Sequence, residues 1–348
     1  MQRSLLLVQQ SLKSKKTWIL YQHHLNKFLK FTGIKDFDSL LRLPDEQLQI
    51  MLEDYVMYLK KKLSPNTVPV AFAAVQSFFV MNNRQLNFVK IHKMYPAEVK
   101  KTGNKAWTRQ HIQEMLKCTT KKRTRALILF LASTAGRVGV VEELKIKHLA
   151  EMEGNCKSVL FYEGSKEEYY GFLTPEASTA LEEYLEERRK DGEHIDFESP
   201  VFREGYKIGM LKAKPITKQM AQMLLFKCIK RAKIQRIKSG KRYDIQVAHG
   251  FRKYFNIVLK LNANVNYNIA EKLMGHKNGL DGVYLPVTKE QCFEEFKKAI
   301  PDLTIDNSER QKIKIQKLEA KKSELEEKIL RIDDLERRLR RIEKTEEF

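Results

Sequence analysis

The sequence predicts a mainly α-helical protein with a small β-sheet, and three observations carry this prediction. Apolar residues recur at helical spacing along most of the chain. One stretch, "SVLFYEGSKEEYYGFLTPEA" at residues 158–177, contains two β-rich runs around Gly164-Ser165 and predicts a hairpin. The C-terminal stretch is highly charged and lacks glycine and proline, which favours one long helix.

The length and the helical pattern predict two domains and a tail. At about 150 residues per domain, 348 residues correspond to two domains and an additional segment. Residues 1–100 show helical periodicity without strand alternation, which indicates a small helical domain with lysines outside. Residues 93–107 carry four lysines, a proline and a glycine, and form a candidate linker. Residues 101–306 then form a second domain, which contains the hairpin.

The tail, residues 307–348, has a seven-residue repeat. Its apolar column consists of Leu318, Leu325, Ile332 and Leu339. Such a column predicts a helix able to pair with another helix, and thus a possible coiled coil. Lys321, Lys322 and Lys328 occupy positions that a second apolar column would need, so a solvated single helix remains an alternative.

The charge of the chain indicates an acidic polymer as partner. Lysine and arginine total 65 against 44 acidic residues, a net charge of +21, and the tail contributes only +2 of it. Nucleic acid is the commonest partner of this kind. No apolar run approaches the roughly 20 residues of a membrane span, so we expect a soluble, cytoplasmic protein with no membrane partner. The four cysteines are widely spaced and predict reduced, mostly buried thiols.

Four stretches carry residue types that handle phosphate. In "VAHGFRKYFNIVLKL", His249 and Arg252 lie three apart at the start of an amphipathic helix, where backbone N–H groups would assist anion binding. Arg137 follows a Thr-Ala-Gly break between two apolar runs, and Lys166 lies at the predicted hairpin tip. Taken singly, each pattern is more typical of side chains that face solvent. No P-loop spacing is present in the sequence.

The fourth stretch is "MGHKNGLDGVYLP", residues 274–286. Asn266 is a plausible N-cap and Gly275 a helix stop, so His276 projects just beyond a short helix. Two glycines then allow the chain to turn, which leaves Tyr284 between two helices. A core tyrosine beside a loop would give a similar pattern.

The order Arg, Lys, His-x-x-Arg, Gly-His and Tyr resembles the active site of the tyrosine recombinase (phage integrase) family. The resemblance covers roughly residues 10–300, with the first domain similar to the core-binding domain and the second to the catalytic domain. The motifs "HGFRKYF" and "GHKNGLDGVYLP" are most similar to those of integrases from archaeal viruses and integrated elements.

The resemblance implies a role for each site residue. It implies that the two catalytic arginines are Arg137 and Arg252 and that the hairpin lysine is Lys166. The histidine of the His-x-x-Arg pair is then His249, the late histidine is His276, and the nucleophile is Tyr284. One position departs from the family. Three residues after the first arginine the family usually has an acidic residue, whereas this chain has Val140, followed by Glu142 and Glu143.

The implied reaction is site-specific recombination of double-stranded DNA by a homo-multimer, which integrates or excises a mobile element. Tyrosine attack leaves a 3′-phosphotyrosyl enzyme, with His249 as candidate base and Lys166 as candidate acid. We expect no cofactor and no catalytic metal, because no acidic cluster accompanies His249 and His276.

Two other classes fit parts of the sequence. A non-catalytic DNA-binding protein would explain the charge but would not need Tyr284 with its partners. A type IB topoisomerase-like nicking-closing enzyme shares the chemistry, yet a separate helical domain and a pairing helix fit assembly of several protomers better.

Overall fold

The computed structural model describes residues 2–99, 103–207, 209–210, 212–239, 242–276 and 287–346. The chain divides into two compact units, Met1–Lys101 and Thr102–Phe348. Each unit encloses a hydrophobic core of its own.

The first unit is helical, as the periodicity predicts, and its described residues contain no strand. Its helices are α1 (Arg3–Ser11), α2 (Lys15–Thr32), α3 (Phe37–Leu41), α4 (Asp45–Lys62), α5 (Val68–Met81) and α6 (Phe88–Lys93). Almost every residue of α5 is apolar, which suits a central helix contacted on several sides. Phe28 of α2 packs on Phe79 of α5 and on Tyr55 of α4, with the Phe28 and Tyr55 ring centroids 4.9 Å apart. The lysines at the end of α4 remain exposed.

The second unit combines helices with a three-stranded sheet. Its helices are α7 (Arg109–Lys117), α8 (Lys122–Thr134), α9 (Pro175–Lys190), α10 (Lys218–Arg231), α11 (His249–Leu261), α12 (Tyr267–Leu273), α13 (Lys289–Leu303) and α14 (Asn307–Glu346). The strands β1 (Leu149–Met152), β2 (Cys156–Phe161) and β3 (Tyr169–Leu173) form an antiparallel sheet in that order. The hairpin prediction is confirmed, because β2 and β3 pair on either side of Gly164-Ser165.

Helix α8 is the centre of the second core. Its residues from Ala126 to Thr134 are all buried, and it contacts α9, α11 and β3. Ser133 ties its last turn to the sheet, since its hydroxyl donates to the carbonyl of Phe172 at 3.0 Å and accepts from the backbone N–H of Thr174 at 2.7 Å. This anchoring fixes where the chain leaves α8, directly before Arg137.

A second, smaller ladder pairs β4 (Lys238–Ser239) with β5 (Arg242–Tyr243). The helical periodicity found along most of the chain does not extend to this region. Two residues per strand are too few to show a period of two, so the pattern could not reveal the ladder.

Helix α14 confirms the long helix predicted for the tail. It contains 40 residues, and the Asp306 carboxylate caps it by accepting from the backbone N–H groups of Ser308 (2.8 Å) and Glu309 (3.1 Å). Neither this helix nor any other in the described part of the chain is both long and apolar enough to cross a membrane. The four cysteines are free thiols, and Cys156, Cys228 and Cys292 are buried, as predicted.

Candidate active site

Three of the predicted site residues line one cleft. Arg137, His249 and Arg252 face a cavity of about 960 Å³ between the end of α8, helix α10, the β4–β5 ladder and the start of α11. The sequence separates Arg137 from Arg252 by more than 100 residues, so this convergence is a result of the fold.

Arg137 is positioned by a turn that the Thr-Ala-Gly break builds. Ala135 ends α8 in the left-handed region with φ 52°, and the Thr134 hydroxyl accepts from the backbone N–H of Gly136 at 3.1 Å. A side chain on Gly136 would begin 3.2 Å from the Phe161 ring, which explains a glycine there. The turn delivers an exposed Arg137 to the cleft.

Arg252 is only 5% exposed and joins two elements. One guanidinium nitrogen donates to the carbonyl of Ala135 at 2.9 Å, and the other donates to the carbonyl of Met274. The alternative of an arginine that merely faces solvent is therefore wrong for Arg252. Its guanidinium is held rigidly at the cleft wall by the ends of α8 and α12.

His249, the first residue of α11, stands exposed at the rim of the cleft. Partial desolvation of the ring and then the charges of Lys253, Arg252 and Arg137 lower the pKa of His249 from its ordinary value of 6.5. The imidazole is therefore neutral at pH 7 and can accept a proton.

His276 lies in a second cleft, lined also by Tyr169, Tyr170 and Lys272. Gly275 ends α12 with φ 62°, as predicted, and the Tyr169 ring packs so closely on it that a side chain would collide. The Nδ1 atom of His276 lies 2.6 Å from Oε2 of Glu271. His276 also contributes to lowering the pKa of His249.

Glu271 is a buried carboxylate that faces a lysine and a histidine. It forms an ion pair with Lys260 on α11 and a hydrogen bond with His276. Burial opposes its ionisation, but these two partners outweigh burial and hold the pKa of Glu271 below its ordinary range. An ionised carboxylate only accepts hydrogen bonds, so Nδ1 of His276 carries the proton.

The structure does not bring Lys166 to either cleft. Lys166 lies exposed in the loop between β2 and β3 and lines neither cleft, whereas Tyr162 of the same loop lines the first cleft.

Tyr284 lies outside the described residues, as do the two glycines before it. The residues that flank this gap, His276 and Val287, both line the second cleft.

The family model of the phage integrase family matches residues 105–280, about half of the chain. The chain belongs to the phage integrase family. It is accordingly an enzyme that breaks and rejoins DNA at specific sites, and the predicted family and fold class are confirmed. A comparison with the curated proteins finds no match.

Solved structures with the fold of this integrase include three DNA complexes. A lambda integrase tetramer bound to a Holliday junction is 15% identical, with 81% of this chain and 74% of that chain covered and a TM-score of 0.53. A lambda integrase dimer bound to a COC′ core site is also 15% identical, with the same coverage and a TM-score of 0.52. The XerH site-specific recombinase bound to difH substrate, in a pre-cleavage complex, is 19% identical, with 75% and 72% covered and a TM-score of 0.51. At these identities the likeness shows a shared fold.

Several residues of the integrase site were not predicted from the sequence. Lys218, Arg236 and Arg242 add positive charge to the first cleft, and the Arg236 guanidinium stacks over the Tyr243 ring at 4.2 Å. The basic run "KSGKRY" was the available signal for Arg242. Glu271 could have been noticed as an acidic residue five residues before His276.

The integrase departs from its family at Val140, and the structure gives this residue another role. Val140 is buried in the core, within the 3₁₀ turn Val138–Glu142. Glu142 accepts from the backbone N–H of Lys218 at 2.7 Å and so supports the start of α10.

Within the described ranges, no group of three or more His, Cys, Asp or Glu residues could hold a metal ion.

Proposed function

We propose that the integrase cleaves DNA with Tyr284 as nucleophile, through a 3′-phosphotyrosyl intermediate. The observation that carries this proposal is the convergence of Arg137, His249 and Arg252 on one cleft. This is the arrangement that recognition of a single phosphodiester needs, because two guanidinium groups and an imidazole can reach the same phosphate.

The two arginines stabilise the charge on the phosphoryl oxygens during transfer. Electrostatic stabilisation is most effective where the donors are already in place. Arg252 meets this condition through its bonds to the carbonyls of Ala135 and Met274. For Arg137, the turn after α8 fixes the backbone from which the exposed side chain reaches the cleft.

Two proton transfers accompany the cleavage step. The Tyr284 oxygen forms a bond to phosphorus while the bond to the 5′ oxygen breaks, and its phenolic proton passes to neutral His249. At pH 7, only about one in a thousand phenol groups with a pKa near 10 is ionised. Ionisation of the phenol therefore costs about 4 kcal/mol, which the base and the cations offset. Lys166 gives a proton to the departing 5′ oxygen, which requires the β2–β3 loop to approach the DNA. In the second step, a 5′ hydroxyl attacks the phosphotyrosine and regenerates Tyr284.

His276 binds a phosphoryl oxygen beside this site, and Glu271 positions its ring. His276 and Val287 line the same cleft, and in the sequence Tyr284 lies eight residues after His276 and three before Val287. This nearness in sequence to two residues of the cleft supports Tyr284 as the nucleophile.

We further propose that the substrate is duplex DNA with a specific site, bound by several copies of the chain in the cytoplasm. The lambda integrase complexes, one a dimer on a core site and one a tetramer on a Holliday junction, support this reading. Integration or excision of a mobile element is the recombination event that the resemblance implies.

The experiment is to trap the covalent intermediate. The integrase is incubated in EDTA with suicide duplexes carrying its own target, and a protein–DNA band is sought on a denaturing gel. We expect the band with wild type and with Tyr170→Phe, an exposed tyrosine at the second cleft, and none with Tyr284→Phe.

Sequencing of the DNA-linked peptide identifies the nucleophile directly. Attachment at another tyrosine would remove Tyr284 from its role. Absence of any adduct would favour a protein that only binds DNA, and sequence-independent relaxation of supercoiled DNA would favour the topoisomerase-like alternative.

A further inference from the structure

Helix α14 presents an apolar seam to solvent, which consists of Ile315, Leu318, Leu325, Ile329 and Ile332 and is interrupted by Lys322. From Lys314 to Leu335, every residue whose side chain the structure describes is exposed. The large apolar side chains among them, each at least half exposed, are Ile315, Leu318, Leu325, Ile329, Leu330, Ile332 and Leu335. An exposed row of this length indicates a missing partner.

The spacing of the seam defines a heptad register. When Leu318, Leu325 and Ile332 are placed at position d, position a is occupied by Ile315, Lys322 and Ile329. The combination of Ile at a with Leu at d favours two strands. A single basic a position, here Lys322, is a known way of fixing the register of a pair at a cost in stability.

The charges beside the seam favour one orientation. In this register, position g carries Lys314, Lys321 and Lys328, and position e carries Glu319, Glu326 and Asp333. In a parallel pair each g residue faces an e residue of the next heptad on the partner, so these three lysines face these three carboxylates, while the next g position is the apolar Leu335. In an antiparallel pair g faces g and e faces e, so these lysines would face lysines and these carboxylates would face carboxylates. Lys321 and Lys328 thus flank the seam.

The start of α14 is fixed to the catalytic unit. The Glu176 carboxylate accepts from the backbone N–H groups of Ile305 (2.7 Å) and Asp306 (3.2 Å), just before the helix. Arg310 donates to the carbonyl of Pro301 at 3.1 Å, and Gln113 donates to the Asn307 side chain at 3.1 Å. The seam therefore begins from a defined position on the unit that carries the site.

We propose that α14 pairs in parallel with α14 of a second copy of this chain, through the seam of Ile315, Leu318, Lys322, Leu325, Ile329 and Ile332. This pairing goes beyond the proposed catalytic function, because it needs neither DNA nor Tyr284. It makes the integrase a dimer before it reaches a recombination site.

A matched pair of leucine substitutions tests the seam. Leu325 lies at position d, whereas Leu330 lies at position b, away from the seam, and both are exposed in the single chain. Sedimentation equilibrium of the full-length protein without DNA should give a dimer for wild type and for Leu330→Glu. Leu325→Glu should raise the dimer dissociation constant roughly tenfold or more. A monomeric wild type, or equal effects of the two substitutions, would overturn the proposal.

Cysteine cross-linking tests the orientation. In a parallel, in-register pair, position 318 of one helix lies beside position 318 of the other. Leu318→Cys should therefore form a disulfide-linked dimer under mild oxidation, while Leu330→Cys and wild type should not. If Leu318→Cys stays unlinked in a protein that sediments as a dimer, the pairing is not parallel.

Discussion

Arg137 and Arg252 serve the same phosphate in our proposal, but the structure holds them differently. Arg137 is exposed, whereas Arg252 is buried and donates to the carbonyls of Ala135 and Met274. Replacement of either by alanine should raise the cleavage barrier by about 3–4 kcal/mol, the usual cost of a lost oxyanion donor. Only Arg252→Ala should also lower the free energy of unfolding, by about 1–3 kcal/mol, because two buried carbonyls lose their donor.

Single-turnover cleavage and thermal unfolding measure the two effects separately. Duplex binding should change little in either variant. Equal destabilisation by Arg137→Ala and Arg252→Ala would show that the carbonyl contacts of Arg252 do not stabilise the fold. Full cleavage activity in either variant would remove that arginine from the mechanism.

The pH dependence of cleavage reports on His249. Its pKa is lowered by desolvation and by neighbouring cations, so the neutral, proton-accepting form persists as pH falls below 6.5. The rate should be flat near pH 7 and fall on the acid side with a midpoint below 6.5. This fall in rate at low pH, the acid limb of the profile, reports protonation of the base in the free enzyme, and it is therefore measured on kcat/KM.

His249→Asn is the matching control. It should cleave slowly and lack the acid limb, because the asparagine amide does not titrate in this range. An acid limb that persists unchanged in His249→Asn would assign the base to another group.

Glu271 should act on cleavage through His276. Glu271→Ala removes the acceptor of the Nδ1 proton and leaves Lys260 without its buried counter-ion. We expect cleavage to slow roughly tenfold or more, since small errors in the position of a catalytic group are costly. Glu290→Gln, an exposed carboxylate on α13, should have no effect.

A spectroscopic measurement separates positioning from general stability. The ¹⁵N shifts of His276 should show a protonated Nδ1 in wild type and a change of tautomer or an averaged signal in Glu271→Ala. Unchanged His276 signals with slowed cleavage would indicate that Glu271 acts in some other way.

At the scale of elements, the sequence predicted those features of the fold that depend on interactions between neighbouring residues. The hairpin, the long C-terminal helix, the Asn266 cap and the Gly275 stop are all confirmed. Asn266 accepts from the backbone N–H of Asn268 at 2.9 Å, as an N-cap does. These features are determined by a few neighbouring residues, which the sequence shows directly.

Features that depend on distant contacts could not be predicted in this way. The burial of Arg252 requires carbonyls 117 and 22 residues away along the chain. The β4–β5 ladder is too short to have a period, and the Glu271 link to Lys260 joins two helices. The roles of the six site residues came from the family resemblance, and they remain predictions for the experiments above.

A buried ionic network stabilises the segment after α9. Arg188 is fully buried and donates to both carboxylate oxygens of Glu193 and to the carbonyls of Pro200 and Val201. Arg203 forms a second ion pair with Glu193 at 2.6 Å. Glu193→Ala should lower the free energy of unfolding by about 3–5 kcal/mol, because the fully buried Arg188 loses its counter-ion, whereas Arg203 keeps its ion pair with Asp191 at 2.7 Å.

The control for this network lies on the same helix. Glu186 forms an exposed ion pair with Lys190 at 3.8 Å, and Glu186→Ala should change stability by less than about 1 kcal/mol. Denaturant unfolding of both variants gives the comparison. A cost for Glu193→Ala as small as that for Glu186→Ala would show that the network does not stabilise the fold.

At the scale of the whole molecule, positive charge is the property that both units share. Residues 1–306 carry a net charge of +19, which leaves +2 on the tail. In the first unit, lysines at the end of α4 and along α2 are exposed. In the second unit, Lys218, Arg236 and Arg242 surround the candidate site. We therefore expect both units to contact DNA phosphates.

The final prediction is that neither unit alone binds DNA as the full chain does. Each unit has its own hydrophobic core, so residues 1–101 and 102–348 can be prepared separately. Every phosphate neutralised releases a counterion, and the slope of log K against log salt counts these contacts at roughly 0.9 per phosphate on B-DNA. The full chain should therefore show a steeper slope and a tighter affinity than either fragment, with the two fragment slopes adding up to about that of the full chain. A fragment that matches the full chain in both affinity and slope would show that the other unit does not contact the DNA.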